Sequence, residues 1–143
     1  MSTVMVIYHS DTGNTQALAE LVADGARQGG AEVQMVPAGD LDLAAAGAAD
    51  ALAIGSPDYF SYVAGEVKAL FDKILNDERF QGKPYVGFGT HGGGAKVLGV
   101  LDRLANSCKL AKVAEGVLVK NAPTGDDEAP ARALGRAIAA AAG

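Results

Sequence analysis

The chain has 143 residues, 49% hydrophobic and 20% charged, a composition suited to one globular domain over 1–143 and not to a disordered or low-complexity segment. Its formal net charge of −5 argues against nonspecific nucleic-acid binding, which draws affinity from Lys and Arg set against phosphates. No apolar run reaches the length of a membrane span, no signal-type segment opens the chain, and Cys108 is the single cysteine, so a cytoplasmic protein with no disulfide and no membrane or nucleic-acid partner is expected.

Val4 to Ile7 is a continuous apolar run, the pattern of a strand buried on both faces at the middle of a parallel sheet. After the turn Ser10-Asp11-Thr12-Gly13-Asn14-Thr15, Leu18, Leu21, Val22 and Gly25 mark one face of an amphipathic helix. The turn therefore opens a helix, where unpaired amides and the positive dipole end favour an anion even without Lys or Arg. Ser10, Thr12 and Thr15 add hydroxyl donors, Gly13 permits a positive φ, Asn14 offers an amide, and Asp11 must point outward to avoid repelling the ligand. The competing reading is a Ser/Thr helix cap alone. Because G-x-x-x-x-G-K-[ST] is absent, one phosphate fits this turn better than a nucleoside triphosphate.

This strand, turn and helix resemble the FMN-phosphate motif of the flavodoxin family. The resemblance implies a five-stranded parallel sheet with FMN bound at three loops, its phosphate in the first and its ring between the other two.

Gly29-Gly30 stops the helix, and Glu32 to Met35 alternates polar with apolar, as an edge strand does. A short helix is expected around Leu41 to Ala46, then a third strand at Ala51 to Ile54 ending in Gly55-Ser56-Pro57. The loop that follows, Pro57-Asp58-Tyr59-Phe60-Ser61-Tyr62, holds three aromatic residues of a chain with four Tyr and four Phe. That clustering suits a flat conjugated ligand, although each ring alone could simply cover the end of the sheet.

Val67, Leu70, Phe71, Ile74 and Leu75 form the next helical face, and a polar link from Asn76 to Lys83 leads to a fourth strand over Tyr85 to Gly89. Thr90-His91-Gly92-Gly93-Gly94 then makes a turn whose glycines allow close approach, with Thr90 and His91 as hydrogen-bonding groups at a heterocycle's edge. His9 is expected to support the phosphate turn. Val97 to Leu104 suggests a helix carrying Cys108 near its end as a buried thiol, Val113 to Lys120 a fifth strand, and Glu128 to Ala142 a last helix.

Strands alternating with helices predict an α/β fold, a doubly wound five-stranded parallel sheet of order 2-1-3-4-5, with ligand outside the carboxyl ends of strands 1, 3 and 4. The Gly-Ser-Pro-x-Tyr-Phe segment with Ala64 to Asp72, and the triple glycine, are similar to loops of flavodoxin-like NAD(P)H:quinone reductases. The family thus implies FMN as cofactor and redox partner proteins or small quinones as partners; these loops point toward NAD(P)H-dependent quinone reduction, while the short chain with no recognisable nicotinamide site sets one-electron carriage slightly ahead. A non-redox interaction module of the same fold is the remoter alternative, and oligomeric state is left open. A signalling receiver domain does not fit, because its metal-binding carboxylates and acceptor Asp are missing from the ends of strands 1 and 3.

Overall fold

The computed structural model describes residues 1–143. Strand β1 (Thr3–Tyr8) runs into helix α1 (Asn14–Gln28), followed by β2 (Glu32–Pro37), a short α2 (Leu43–Ala48), β3 (Ala51–Pro57), α3 (Gly65–Ile74), β4 (Pro84–His91) and α4 (Val97–Ser107). The chain ends with β5 (Ala111–Lys112), β6 (Val117–Lys120) and α5 (Gly125–Ala142). All pairings are parallel, in the order β2-β1-β3-β4-β5.

The apolar run of β1 divides between two cores. Met5 and Ile7 join Leu52, Ile54, Val67, Leu70, Phe71 and Leu101 under α3 and α4. Val4 and Val6 face the other way, onto Leu18, Val22, Leu134 and Ile138 of α1 and α5. A strand covered on both sides has no solvent face and so no polar alternation, whereas the alternation in β2 reflects its place at the sheet edge.

Three boundaries differ from the sequence expectation. The fifth strand is split into β5 and β6, both paired with β4, so the sheet has six strands by count. Between Lys112 opposite Tyr85 and Val117 opposite Phe88, the four residues Val113 to Gly116 bulge past the two residues Val86 and Gly87. Strand β4 continues through Thr90 to His91, which moves both residues from the turn into the ladder. Helix α5 starts at Gly125, earlier than expected, because Thr124 and Asp127 form a capping box in which the Asp127 carboxylate accepts from the Thr124 amide at 2.7 Å.

Candidate functional site

The carboxyl ends of β1, β3 and β4 meet at one pocket lined by Asp11, Thr12, Asn14, Thr15, Pro57, Asp58, Tyr59, Thr90, His91, Gly92 and Asn121. Each of the three loops singled out in the sequence contributes, and Asn121 is an addition. It arrives through β6: its amide donates to the His91 carbonyl at 2.8 Å, so pairing with β4 carries it to the pocket.

At the first loop, Gly13 is the residue before α1 and sits at φ 93°, a conformation that favours glycine. Ser10 behaves as the cap, its Oγ accepting from the Gly13 and Gln16 amides at 3.2 Å each. The amides of Thr12, Asn14 and Thr15 have no partner in the protein, so the helix start keeps donors for an anion. Thr15 is buried and its hydroxyl shares a 2.7 Å hydrogen bond with Thr90, which leaves hydrogen-bonding capacity over and ties this loop to β4.

The second loop is a tight hairpin. Tyr59 and Tyr62 exchange backbone hydrogen bonds of 2.9 and 3.0 Å, with Phe60 and Ser61 at the tip at φ 58° and 62°. Two successive left-handed residues make a type I′ turn, which usually takes Asn-Gly, and a bulky Phe there is strained. The three aromatics therefore separate. Tyr59 lines the pocket, Tyr62 packs on the core beneath α3 and α4, and Phe60 is fully exposed at the tip.

Asp58, expected among the ligand residues, is engaged by the protein. One carboxylate oxygen accepts from the Ser61 amide at 2.8 Å, and the other accepts from the Lys96 and Val97 amides at the start of α4, at 2.8 and 3.0 Å. It shapes the hairpin and caps a helix 38 residues away. Asp58→Ala is expected to lower stability by about 1 to 2 kcal/mol through loss of that cap, measured by urea denaturation. An unchanged midpoint would show that water replaces the carboxylate at no cost.

Asp11 does not point freely outward. It accepts a short hydrogen bond from the Tyr59 hydroxyl and lies 3.2 Å from His9 Nε2, and these two partners, Tyr59 first, hold its carboxyl below the ordinary range. Burial, and then the bond to Asp11, push the Tyr59 phenol up to about 12, so it remains a neutral donor at pH 7.

In the third loop, the His91 Nδ1 atom is buried without a hydrogen-bond partner, an unusual state for an imidazole nitrogen at a pocket wall. A Cβ built at Gly92, Gly93 or Gly94 would meet nothing within 4 Å, so the protein's own packing does not demand these glycines. Open space beside them, an unpaired buried nitrogen and three free amides form a donor set suited to a phosphorylated ring compound. Among the other expected residues, Ser61 and Gly93 are exposed and lie outside the lining. No group of three or more His, Cys, Asp or Glu is placed to hold a metal ion.

Comparison with known proteins gives a consistent picture. Residues 6–135 match the family model for flavodoxin. A flavodoxin of Aquifex aeolicus is 33% identical over 162 residues, spanning 97% of this chain and 86% of that protein. An NAD(P)H dehydrogenase (quinone) of Archaeoglobus fulgidus is 34% identical over 111 residues, 58% of each chain. The solved structure of a flavodoxin from the domain Archaea superposes with a TM-score of 0.92 at 24% identity, covering 98% of both chains.

Proposed function

The chain belongs to the flavodoxin family, and from that premise we propose that it is an FMN-binding electron-transfer protein whose phosphate site is the turn from Ser10 to Thr15. The observation that carries this is the trio of unpaired amides at Thr12, Asn14 and Thr15, set at a helix start and opening into the pocket shared by Tyr59 and His91.

When bound, FMN supplies the ring that accepts and gives up electrons. The protein's part is to bind and orient. Thr12 and Thr15 would add hydroxyl donors to the amides at the phosphate. Tyr59, its hydroxyl tied to Asp11, would present its ring to one side of the flavin, with Phe60 at the exposed outer edge, and Pro57 to Tyr62 would offer backbone groups. His91 and the Thr90 to Gly93 segment would meet the polar edge, the free Nδ1 gaining a partner there. Redox partner proteins, approaching at the exposed hairpin, are the proposed donors and acceptors, and a cytoplasmic setting agrees with the single buried Cys108.

Tyr59→Ala is expected to weaken FMN binding about tenfold and to shift the flavin midpoint potential, and Phe60→Ala to do so to a smaller degree. Flavin fluorescence quenching and redox titration read both effects. If neither variant moves either quantity, these rings only pack and the stacking assignment is wrong.

A second reading, NAD(P)H-dependent quinone reduction, draws support from the Archaeoglobus relative. Mixing FMN-loaded protein with NADH or NADPH in a stopped-flow instrument separates the two. Slow flavin bleaching, no faster than for free FMN, is expected of a carrier. Rapid bleaching, with turnover on addition of benzoquinone, would make it a reductase.

A further inference from the structure

The phosphate turn contains no Lys or Arg, yet its Asp11 sets a carboxylate at the rim of the pocket where a dianion is to bind. Left uncompensated, that charge opposes the ligand, and the geometry around it supplies the compensation. His9, just before the turn, lies between two carboxylates, its Nε2 3.2 Å from Asp11 Oδ1 and its Nδ1 3.0 Å from Glu66 Oε2. Nδ1 is hydrogen-bonded to Glu66, and because ionised carboxylates only accept while a neutral imidazole has one N–H, a proton on Nε2 facing Asp11 as well requires a ring protonated on both nitrogens.

The side chain of His9 is 18% exposed, against 63% for Asp11 and 54% for Glu66, so the ring is held inside while its two partners reach it from outside. The titratable groups facing it are Asp11 from the turn, Glu66 from α3 and Tyr59 from the hairpin, whose ring stands edge-on with centroids 6.1 Å apart. The nearest lysine along α3, Lys68, pairs with Asp72 instead.

We propose that His9, as an imidazolium held between Asp11 and Glu66, is a specificity residue for the flavin phosphate: its charge offsets Asp11 beside the turn and leaves the free amides of α1 to select FMN over riboflavin. This rests on the phosphate assignment above. The same contacts give Asp11 a second use, since its other oxygen holds the Tyr59 hydroxyl and so couples the phosphate turn to the hairpin. The depressed Asp11 carboxyl, held down first by the Tyr59 hydroxyl and then by His9, agrees with a carboxylate that stays charged between them.

The test titrates FMN and riboflavin into apoprotein by fluorescence quenching, using wild type, His9→Gln, Asp11→Asn and the double variant, at pH 6 and at pH 8.5. His9→Gln is expected to weaken FMN about tenfold while changing riboflavin less than about twofold, and adding Asp11→Asn should restore FMN to within about threefold of wild type. Because a phosphate monoester gains charge above about pH 6, a bare helix start would hold FMN more tightly at the higher pH. In wild type the preference for FMN over riboflavin should instead fall, by about fivefold, between the two pH values, and in His9→Gln it should not fall.

Equal weakening of both flavins in His9→Gln would overturn the proposal, placing His9 in support of the hairpin rather than of phosphate selection. So would unchanged FMN affinity. Equal affinity of wild type for the two flavins at both pH values is a different failure, since it removes the phosphate assignment itself. A direct readout needs no variant: ring ¹⁵N shifts of His9 in FMN-loaded protein at neutral pH should show both nitrogens protonated, and one bare nitrogen overturns the proposal.

Discussion

Riboflavin, which lacks only the phosphate of FMN, is expected to bind this protein at least about a hundredfold more weakly, equivalent to about 3 kcal/mol. The amides of Thr12, Asn14 and Thr15 have no other partner, and hydrogen bonds from such donors to a charged acceptor contribute about 1.5 to 3 kcal/mol each before desolvation of the phosphate is subtracted. Three of them, added to the helix dipole, leave a net gain of the size stated. The hydroxyls should divide by burial. Thr12 is exposed, so Thr12→Ala removes only its own contact, whereas Thr15→Ala also leaves the buried Thr90 hydroxyl unpaired and should cost stability as well as affinity. Titration of apoprotein with each flavin, followed by fluorescence, gives the ratio directly. Comparable dissociation constants would mean that the turn is a helix cap and no more.

The parts of this site that were legible in the sequence are those governed by local rules. Val4 to Ile7 reads as a doubly covered strand because its apolar run admits no solvent face, and the turn after it reads as a helix start because strand, hydroxyl-rich turn and helix are contiguous. Order 2-1-3-4-5 follows from alternating strands and helices, with the polar-apolar β2 at the edge. The parts that were not legible depend on residues far apart. Asp58 lines the pocket in a loop of aromatics, but that its carboxylate is held by the amides of Ser61, Lys96 and Val97, the last two far along the chain, has no sequence signal. Asn121 carries no local signal and reaches the pocket through the pairing of β6 with β4. The break between β5 and β6 is likewise set by the register against β4, which composition does not encode. Phe60-Ser61 is not a pair that announces a type I′ turn, so the hairpin that separates the three aromatics had no sequence signature.

Helical glycines show the same division, and they carry the largest stability effects expected here. Gly25 of α1 and Gly135 of α5 lie where the two helices cross. A Cβ at Gly25 would come within 2.0 Å of the Arg132 carbonyl oxygen, and one at Gly135 within 2.0 Å of the Val22 carbonyl oxygen. Backbone on both sides cannot give way without separating the helices, so Gly25→Ala and Gly135→Ala are each expected to lose about 3 kcal/mol or more. The loss reaches the pocket, because α1 begins at the Ser10 to Thr15 turn that lines it and packs on α5. Gly99, exposed in α4, has nothing within 4 Å of its Cβ position. Gly99→Ala should therefore raise stability by about 0.5 to 1 kcal/mol, through helix propensity and a less flexible unfolded chain. Urea denaturation of the three apoprotein variants decides the matter, since one substitution in three helices is expected to change sign with the space around it. If Gly25→Ala and Gly135→Ala fold with the midpoint of wild type, the helices are not in the close contact described. A midpoint lowered in all three variants would remove the explanation by local space.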